Sequence, residues 1–125
     1  MAVANIAAFR SAGKLLHSRS ITSFIIPRTA GGETDAANLA LACPHCNGHK
    51  WAHCNGVDPT SGEAVPLFNP RVHLWAEHFR WSSNDGNLLE GLSATGRVTI
   101  LRLQMNHPAM VEMRRLLREL GLPIE

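Results

Sequence analysis

The side chains best suited to chemistry are concentrated between residues 38 and 54 of this 125-residue chain. Three of them are cysteines: Cys43, Cys46 and Cys54. Two cysteines separated by two residues can supply two corners of a tetrahedral zinc site, which needs four ligands. No cysteine precedes Cys43, so the spacing predicts half of a zinc knuckle, which Cys54, His53 or His45 could complete. A redox dithiol is the rival interpretation, and two thiols without a role are the plainest one.

Three histidines recur at intervals of four residues in the same region: His45, His49 and His53. In a helix they would share one face, where an i, i+4 pair of imidazoles can bridge a metal ion. The plainer interpretation, which we favour, is that they are surface histidines beside the cysteine pair.

The composition is that of one ordinary globular domain, with 45% hydrophobic and 18% charged residues. A net charge of +2 is compatible with nucleic-acid binding but too small to indicate it. No apolar run has the length that a membrane span requires. An odd number of cysteines without an export signal argues against a disulfide framework and predicts a cytoplasmic protein.

Hydrophobic patterning predicts two strands and a short helix around these side chains. The strands cover Ile21–Ile26 and Leu39–Ala42, and Gly31-Gly32 marks a turn between them. We expect a helix over Asn47–His53. The remaining expectations are a helix over Ala4–Leu16, mostly loop over Cys54–Pro70, a helix over Arg71–Phe79, a hairpin of Arg80–Ser82 with Leu88–Leu92, and helices over Thr95–Met105 and Pro108–Leu120.

The segment from Ile25 to Lys50 resembles the signature of the HNH endonuclease family. The matching motifs are Ile25-Ile26-Pro27-Arg28, Gly31-Gly32-Glu33-Thr34, Asn38-Leu39-Ala40-Leu41-Ala42 and Cys43-x-x-Cys46-Asn47 with Lys50. Several independent residue types must coincide for this match. Downstream motifs that begin at Asp58, Val65, His78 and Gly91 resemble a bacterial subgroup of the family.

This resemblance implies an α+β fold with a small ββα-metal core, followed by a C-terminal hairpin and helices. It implies hydrolysis of DNA phosphodiester bonds with a divalent cation (Mg²⁺, Mn²⁺ or Ni²⁺). By resemblance, Asn38 braces the loop that carries the catalytic base, and Asn47 is a ligand of the catalytic cation. Cys43 and Cys46 are the expected ligands of a separate structural zinc. Lys50 and Arg28 are expected to contact phosphate. Because Asn47 and Lys50 fit this pattern, zinc or the remnant of a zinc site ranks above a redox dithiol.

The sequence departs from the family where the acid and the base should stand, at Ser23 and Phe24. A histidine takes the proton of the attacking water, since its pKa lies near working pH, but a phenyl ring cannot accept a proton. Ser23 offers a metal only a weak neutral oxygen. Because loss of a general base costs about 10²–10⁴-fold in rate, we expect an impaired nuclease. The alternative is an inactive remnant that binds nucleic acid or zinc.

The missing acid–histidine pair and the missing upstream cysteines both fall in the first part of the chain. We therefore divide the chain into a divergent segment, residues 1–24, and an HNH-like nuclease domain, residues 25–125. A frameshift or a wrong start would explain both absences at once, and true divergence is the other explanation.

Two further groups of side chains have a structural and a functional interpretation. Trp75, Phe79 and Trp81 could stack on bases, but core packing is the stronger expectation. The arginines of the last helix could contact phosphates or form a solvated basic face. They are Arg114, Arg115 and Arg118.

Overall fold

The computed structural model describes residues 4–5, 21–42 and 44–122. Most of the helix predicted over Ala4–Leu16 lies outside these residues, and its described part is a two-residue strand, Ala4–Asn5. Cys43 also lies outside them. Within the described residues the fold is α+β, with one three-stranded and two two-stranded sheets, which confirms the predicted class.

Two antiparallel strands and a helix form the unit that holds the candidate site. Strand β2 (Ile21–Phe24) pairs with β3 (Leu39–Ala42) so that Phe24 lies opposite Leu39, and β1 (Ala4–Asn5) adds in parallel to the other edge of β3. Helix α1 covers Pro44–Lys50. It begins three residues earlier than predicted because proline suits the first turn of a helix. It ends before His53 because Trp51 adopts a left-handed φ of 43°.

Most of Cys54–Pro70 is loop as predicted, but two short stretches of it form a hairpin that pairs β4 (Asn55–Val57) with β5 (Ala64–Pro66). The Asp58 carboxylate accepts hydrogen bonds from the backbone N–H groups of Thr60 and Ser61, which folds the turn. Strands of three residues are too short to show a clear alternation of apolar and polar side chains, so the glycines and prolines dominated the sequence pattern.

The predicted helix over Arg71–Phe79 is reduced to one turn, α2 (Trp75–His78). The residues just before α2 are held in turns by Asn69, whose side chain accepts a hydrogen bond from the N–H of Arg71. Phe79 instead starts β6 (Phe79–Trp81), which pairs with β7 (Leu89–Gly91). That hairpin confirms the one predicted around residues 84–86.

Two helices complete the described chain, α3 (Ala94–Arg102) and α4 (Pro108–Glu119), close to their predicted bounds. The Ser93 hydroxyl accepts from the Gly96 N–H and caps α3. His107 caps α4, where its Nδ1 accepts from the N–H of Ala109. None of the helices in the described residues has the length and apolar character needed to cross a bilayer.

The hydrophobic core joins the ββα unit to the C-terminal elements. Its buried members are Ala40, Cys46, Leu67, Phe68, Phe79, Leu89, Val98, Ile100, Leu103, Met105 and Met110, and Trp75 and Trp81 pack against them. The core interpretation of the aromatic residues is therefore confirmed. The ββα unit does not stand alone, because Ala40 and Cys46 belong to the same core as α3 and α4.

Neither interpretation of the α4 arginines, phosphate contacts or a solvated basic face, holds for Arg114. Arg114 is fully buried, and its guanidinium donates to the carbonyl oxygens of Met105 (2.5 Å) and Asn87 (2.9 Å). Arg118 donates to the side chain of Asn87, and Arg115 pairs with glutamates on its own helix. The prediction of a basic face is wrong for Arg114, since its charge is held inside the fold by backbone carbonyls.

Candidate active site

Asn38 ties together the two ends of the loop between β2 and β3. Its Nδ2 donates to the carbonyl oxygens of Ile26 and Glu33, each at 2.9 Å, and its Oδ1 accepts from the N–H of Ile26 at 2.8 Å. Three hydrogen bonds from one side chain fix the loop conformation over residues 26–33. These contacts are those that a bracing residue would make.

Gly31 and Gly32 are each favoured in this loop for a different physical reason. Gly31 has a φ of 90°, a left-handed conformation that favours glycine. Gly32 leaves no room for a side chain, because an added Cβ would lie 1.8 Å from the Ile26 carbonyl oxygen and 2.8 Å from Asn38 Nδ2. The Asn38 brace and the bare backbone of Gly32 thus depend on each other.

Lys50 is placed differently from the expected phosphate contact. Its side chain is 3% exposed. Its Nζ donates to the carbonyl oxygens of Phe24 (2.7 Å), Ile25 (3.0 Å) and His53 (3.0 Å). An ammonium group has three donors, so none is left for a phosphate in this structure. Lys50 instead links the end of β2 to the end of α1.

A shallow pocket of about 350 Å³ lies where the chemistry of the ββα unit is expected. It is lined by Phe24, Pro27, Arg28, Thr29, Asn47, Trp51 and Ala52. The structure therefore brings Phe24, Arg28 and Asn47 together at one surface. Among the described residues, none forms a hydrogen bond or an ion pair with the Arg28 side chain. Trp51, which sequence reasoning missed, forms one wall of this pocket and is 78% exposed.

The pocket is a poor fit for a divalent cation. Mg²⁺ and related ions prefer carboxylate and other oxygen ligands, whereas the side chains lining the pocket offer one amide (Asn47), one hydroxyl (Thr29) and a guanidinium cation (Arg28). Across the stretches that the structure describes, no three His, Cys, Asp or Glu side chains converge as a metal site. Asn47 alone is a weak neutral ligand.

Only one cysteine of the predicted zinc pair lies within the described residues. Cys46 is fully buried within the core, while Cys43 lies outside the described residues, so a Cys43–Cys46 zinc pair stays a prediction. His45 Nε2 donates to the carbonyl of Gln104, and His49 Nδ1 donates to the carbonyl of His45. The alternative in which all three histidines share one helix face does not hold for His53, because α1 ends at Lys50.

A larger cavity of about 520 Å³ has Lys50 among its lining residues. Its walls are mostly apolar, with Val65, Leu67 and Phe68 among them. The His73 imidazole in this cavity accepts a hydrogen bond from the Asn69 N–H, and burial lowers its pKa. A mostly apolar wall suits a phosphodiester less well than the pocket that contains Arg28.

One of the comparisons with known proteins found a match. Residues 14–53 match the family model described as HNH endonuclease. The match confirms the resemblance that the motifs predict for this part of the chain, and it supports a nuclease-type function. It spans Ser23 and Phe24 as well as Asn38, Asn47 and Lys50. No curated protein and no solved structure matches the chain.

Proposed function

We propose that this chain is an HNH-type endonuclease domain that binds DNA but hydrolyses its phosphodiester bonds poorly. The observation that carries the proposal is the position of Phe24, which lines the same pocket as Asn47 and Arg28. The family's base histidine is expected at this position. A phenyl ring there leaves the phosphodiester without a group that can take the proton of an attacking water.

The binding part of the function rests on Arg28 and Asn38. A guanidinium matches the geometry of a phosphate and stays charged at any working pH. Arg28 lies between Ile26 and Glu33, the two residues that Asn38 clamps, so its side chain projects from a fixed backbone. The cleavage part is weak on two counts, since the base is absent and the donor set does not fit the divalent cation that the family uses.

A plasmid nicking assay tests the proposal, with Mg²⁺, Mn²⁺ or Ni²⁺ added to the full chain. We expect little cleavage by the unchanged protein. The double change Ser23→Asp with Phe24→His should raise the rate by about 100-fold or more, because it restores an acid and a base. The matched control is Ser23→Asp with Phe24→Leu, which restores only the acid and should stay near the unchanged rate. EDTA should abolish the gained activity.

Two outcomes would contradict the proposal. Robust metal-dependent nicking by the unchanged chain would show that Phe24 does not impair it. A restored double variant that folds, binds DNA and still fails to nick it favours the alternative, a non-cleaving nucleic-acid-binding module. The observation that favours this alternative is the guanidinium of Arg28, which lies in the same pocket as Phe24. Zinc content measured on the purified protein decides whether such a module also holds zinc. The cytoplasmic location stays a prediction from the cysteine count.

A further inference from the structure

Trp51 occupies an unfavourable conformation at an exposed position. Its φ of 43° lies in the left-handed region, which bulky side chains rarely adopt. The residue directly follows α1, where a helix usually ends with glycine. Its indole is 78% exposed, so little burial offsets the strain. The one ring contact found for it in the described residues is the edge of His53, at 6.1 Å between centroids.

The surroundings of the indole indicate what it could bind. Trp51 shares its pocket with the phenyl ring of Phe24, the cation of Arg28 and the amide of Asn47. Flat aromatic faces stack on nucleobases, and a nearby cation attracts the phosphate that accompanies each base. An amide can form hydrogen bonds with the edge of a base or with a sugar hydroxyl. The pocket therefore offers one group for each part of a nucleotide.

We propose that this pocket binds an unpaired nucleotide of single-stranded DNA, with the base against Trp51 and the phosphate at Arg28. The proposal rests on the proposed function and narrows its substrate. A base inside a duplex is stacked on its neighbours on both faces, so it cannot offer a face to an indole without leaving the helix. An unpaired base can do so directly.

The test compares a labelled single strand of about 12 nucleotides with a blunt duplex of the same sequence, by fluorescence anisotropy. Three variants of the full chain probe the pocket: Trp51→Gly, Trp51→Phe and Arg28→Ala. Two matched controls change exposed side chains outside it: Leu101→Ala and Arg102→Ala. Thermal unfolding of every variant accompanies the binding curves.

We expect the unchanged chain to bind the single strand more tightly than the duplex. Trp51→Gly should weaken strand binding about 10-fold, the loss of one stacked base, while its unfolding temperature does not fall, because glycine accepts a positive φ. Trp51→Phe keeps an aromatic face and should stay within about threefold of the unchanged protein. Arg28→Ala should weaken strand binding and reduce the salt dependence by about one phosphate contact. Both controls should bind normally.

Failure of this inference is distinguishable from failure of the proposed function. Equal affinity for strand and duplex, with Trp51→Gly unaffected, overturns the inference and leaves a DNA-binding nuclease domain. Absence of binding to either DNA rejects both. Tighter binding to an RNA strand of the same sequence overturns the assignment to DNA.

Discussion

At the scale of single residues, burial decides what Lys50 can do. Its ammonium group is surrounded by three carbonyl oxygens, and burial lowers its pKa despite the opposing effect of the neighbouring Cys54. Sequence spacing placed this lysine correctly on α1 but could not tell which way it points. The bracing role expected for Asn38 came from the resemblance, and the side chain forms hydrogen bonds with Ile26 and Glu33 across the loop.

Changing Lys50 to methionine tests the structural role. The new side chain has a similar length but cannot donate, so carbonyl oxygens at the end of β2 would stay buried without partners. We expect the free energy of unfolding to fall by about 2–4 kcal/mol, measured by urea denaturation. Arg102→Met on the exposed face of α3 is the control and should change it by less than about 0.5 kcal/mol. Unchanged stability with lost DNA binding would instead restore the phosphate role.

At the scale of elements, the two glycines at positions 32 and 48 make opposite predictions. Gly32→Ala forces a Cβ against the Ile26 carbonyl and should cost about 2 kcal/mol or more. Gly48 lies within α1 with no atom within 4 Å of an added Cβ. Gly48→Ala should therefore stabilise the protein by about 0.5–1 kcal/mol. Denaturation midpoints measured side by side check both, and equal effects of the two changes would contradict the loop geometry.

The elements also show what a sequence can and cannot reveal. Strand β3, the β6–β7 hairpin and α4 were predictable because apolar patterning or a strong turn signal is continuous over each. The β4–β5 hairpin was not, because each of its strands has only three residues and shows no clear alternation. The pocket wall at Trp51 was also missed. Its only sequence signal is a large aromatic residue where α1 ends, and that signal becomes informative only when φ is known.

At the scale of the whole molecule, the ion pair of Asp58 and Arg97 joins the β4–β5 hairpin to α3. Two parallel hydrogen bonds of 2.9 Å connect the groups, and Asp58 is fully buried. Hydrogen bonds from Arg97 hold the pKa of the Asp58 carboxyl well below its usual range. The Asp58-Pro59 motif of the sequence therefore acts in folding, away from the pocket.

This ion pair predicts how stability depends on pH. A carboxyl with a lowered pKa in the folded state stabilises the protein above its unfolded pKa of about 3.9. That contribution is lost as the pH falls below this value toward the folded pKa. Asp58→Asn should lower the unfolding temperature at pH 7 and flatten its decline between about pH 5 and pH 2.

Glu90→Gln is the control for that measurement, because Glu90 also has a lowered pKa but pairs with Arg80 at an exposed position. Solvent screens such a pair, so we expect a much smaller change in unfolding temperature. Similar pH profiles for both variants would show that the buried pair does not join the two parts of the core.

The unequal exposure of the three tryptophans has an optical consequence. Trp75 and Trp81 are half-buried against the core, and Trp81 also lies beneath the guanidinium groups of Arg114 and Arg118. Trp51 is open to solvent. A collisional quencher such as iodide would thus reach one emitter far more readily than the other two. Iodide quenching of Trp51 fluorescence would therefore report whether the pocket that Trp51 shares with Phe24 and Arg28 is occupied.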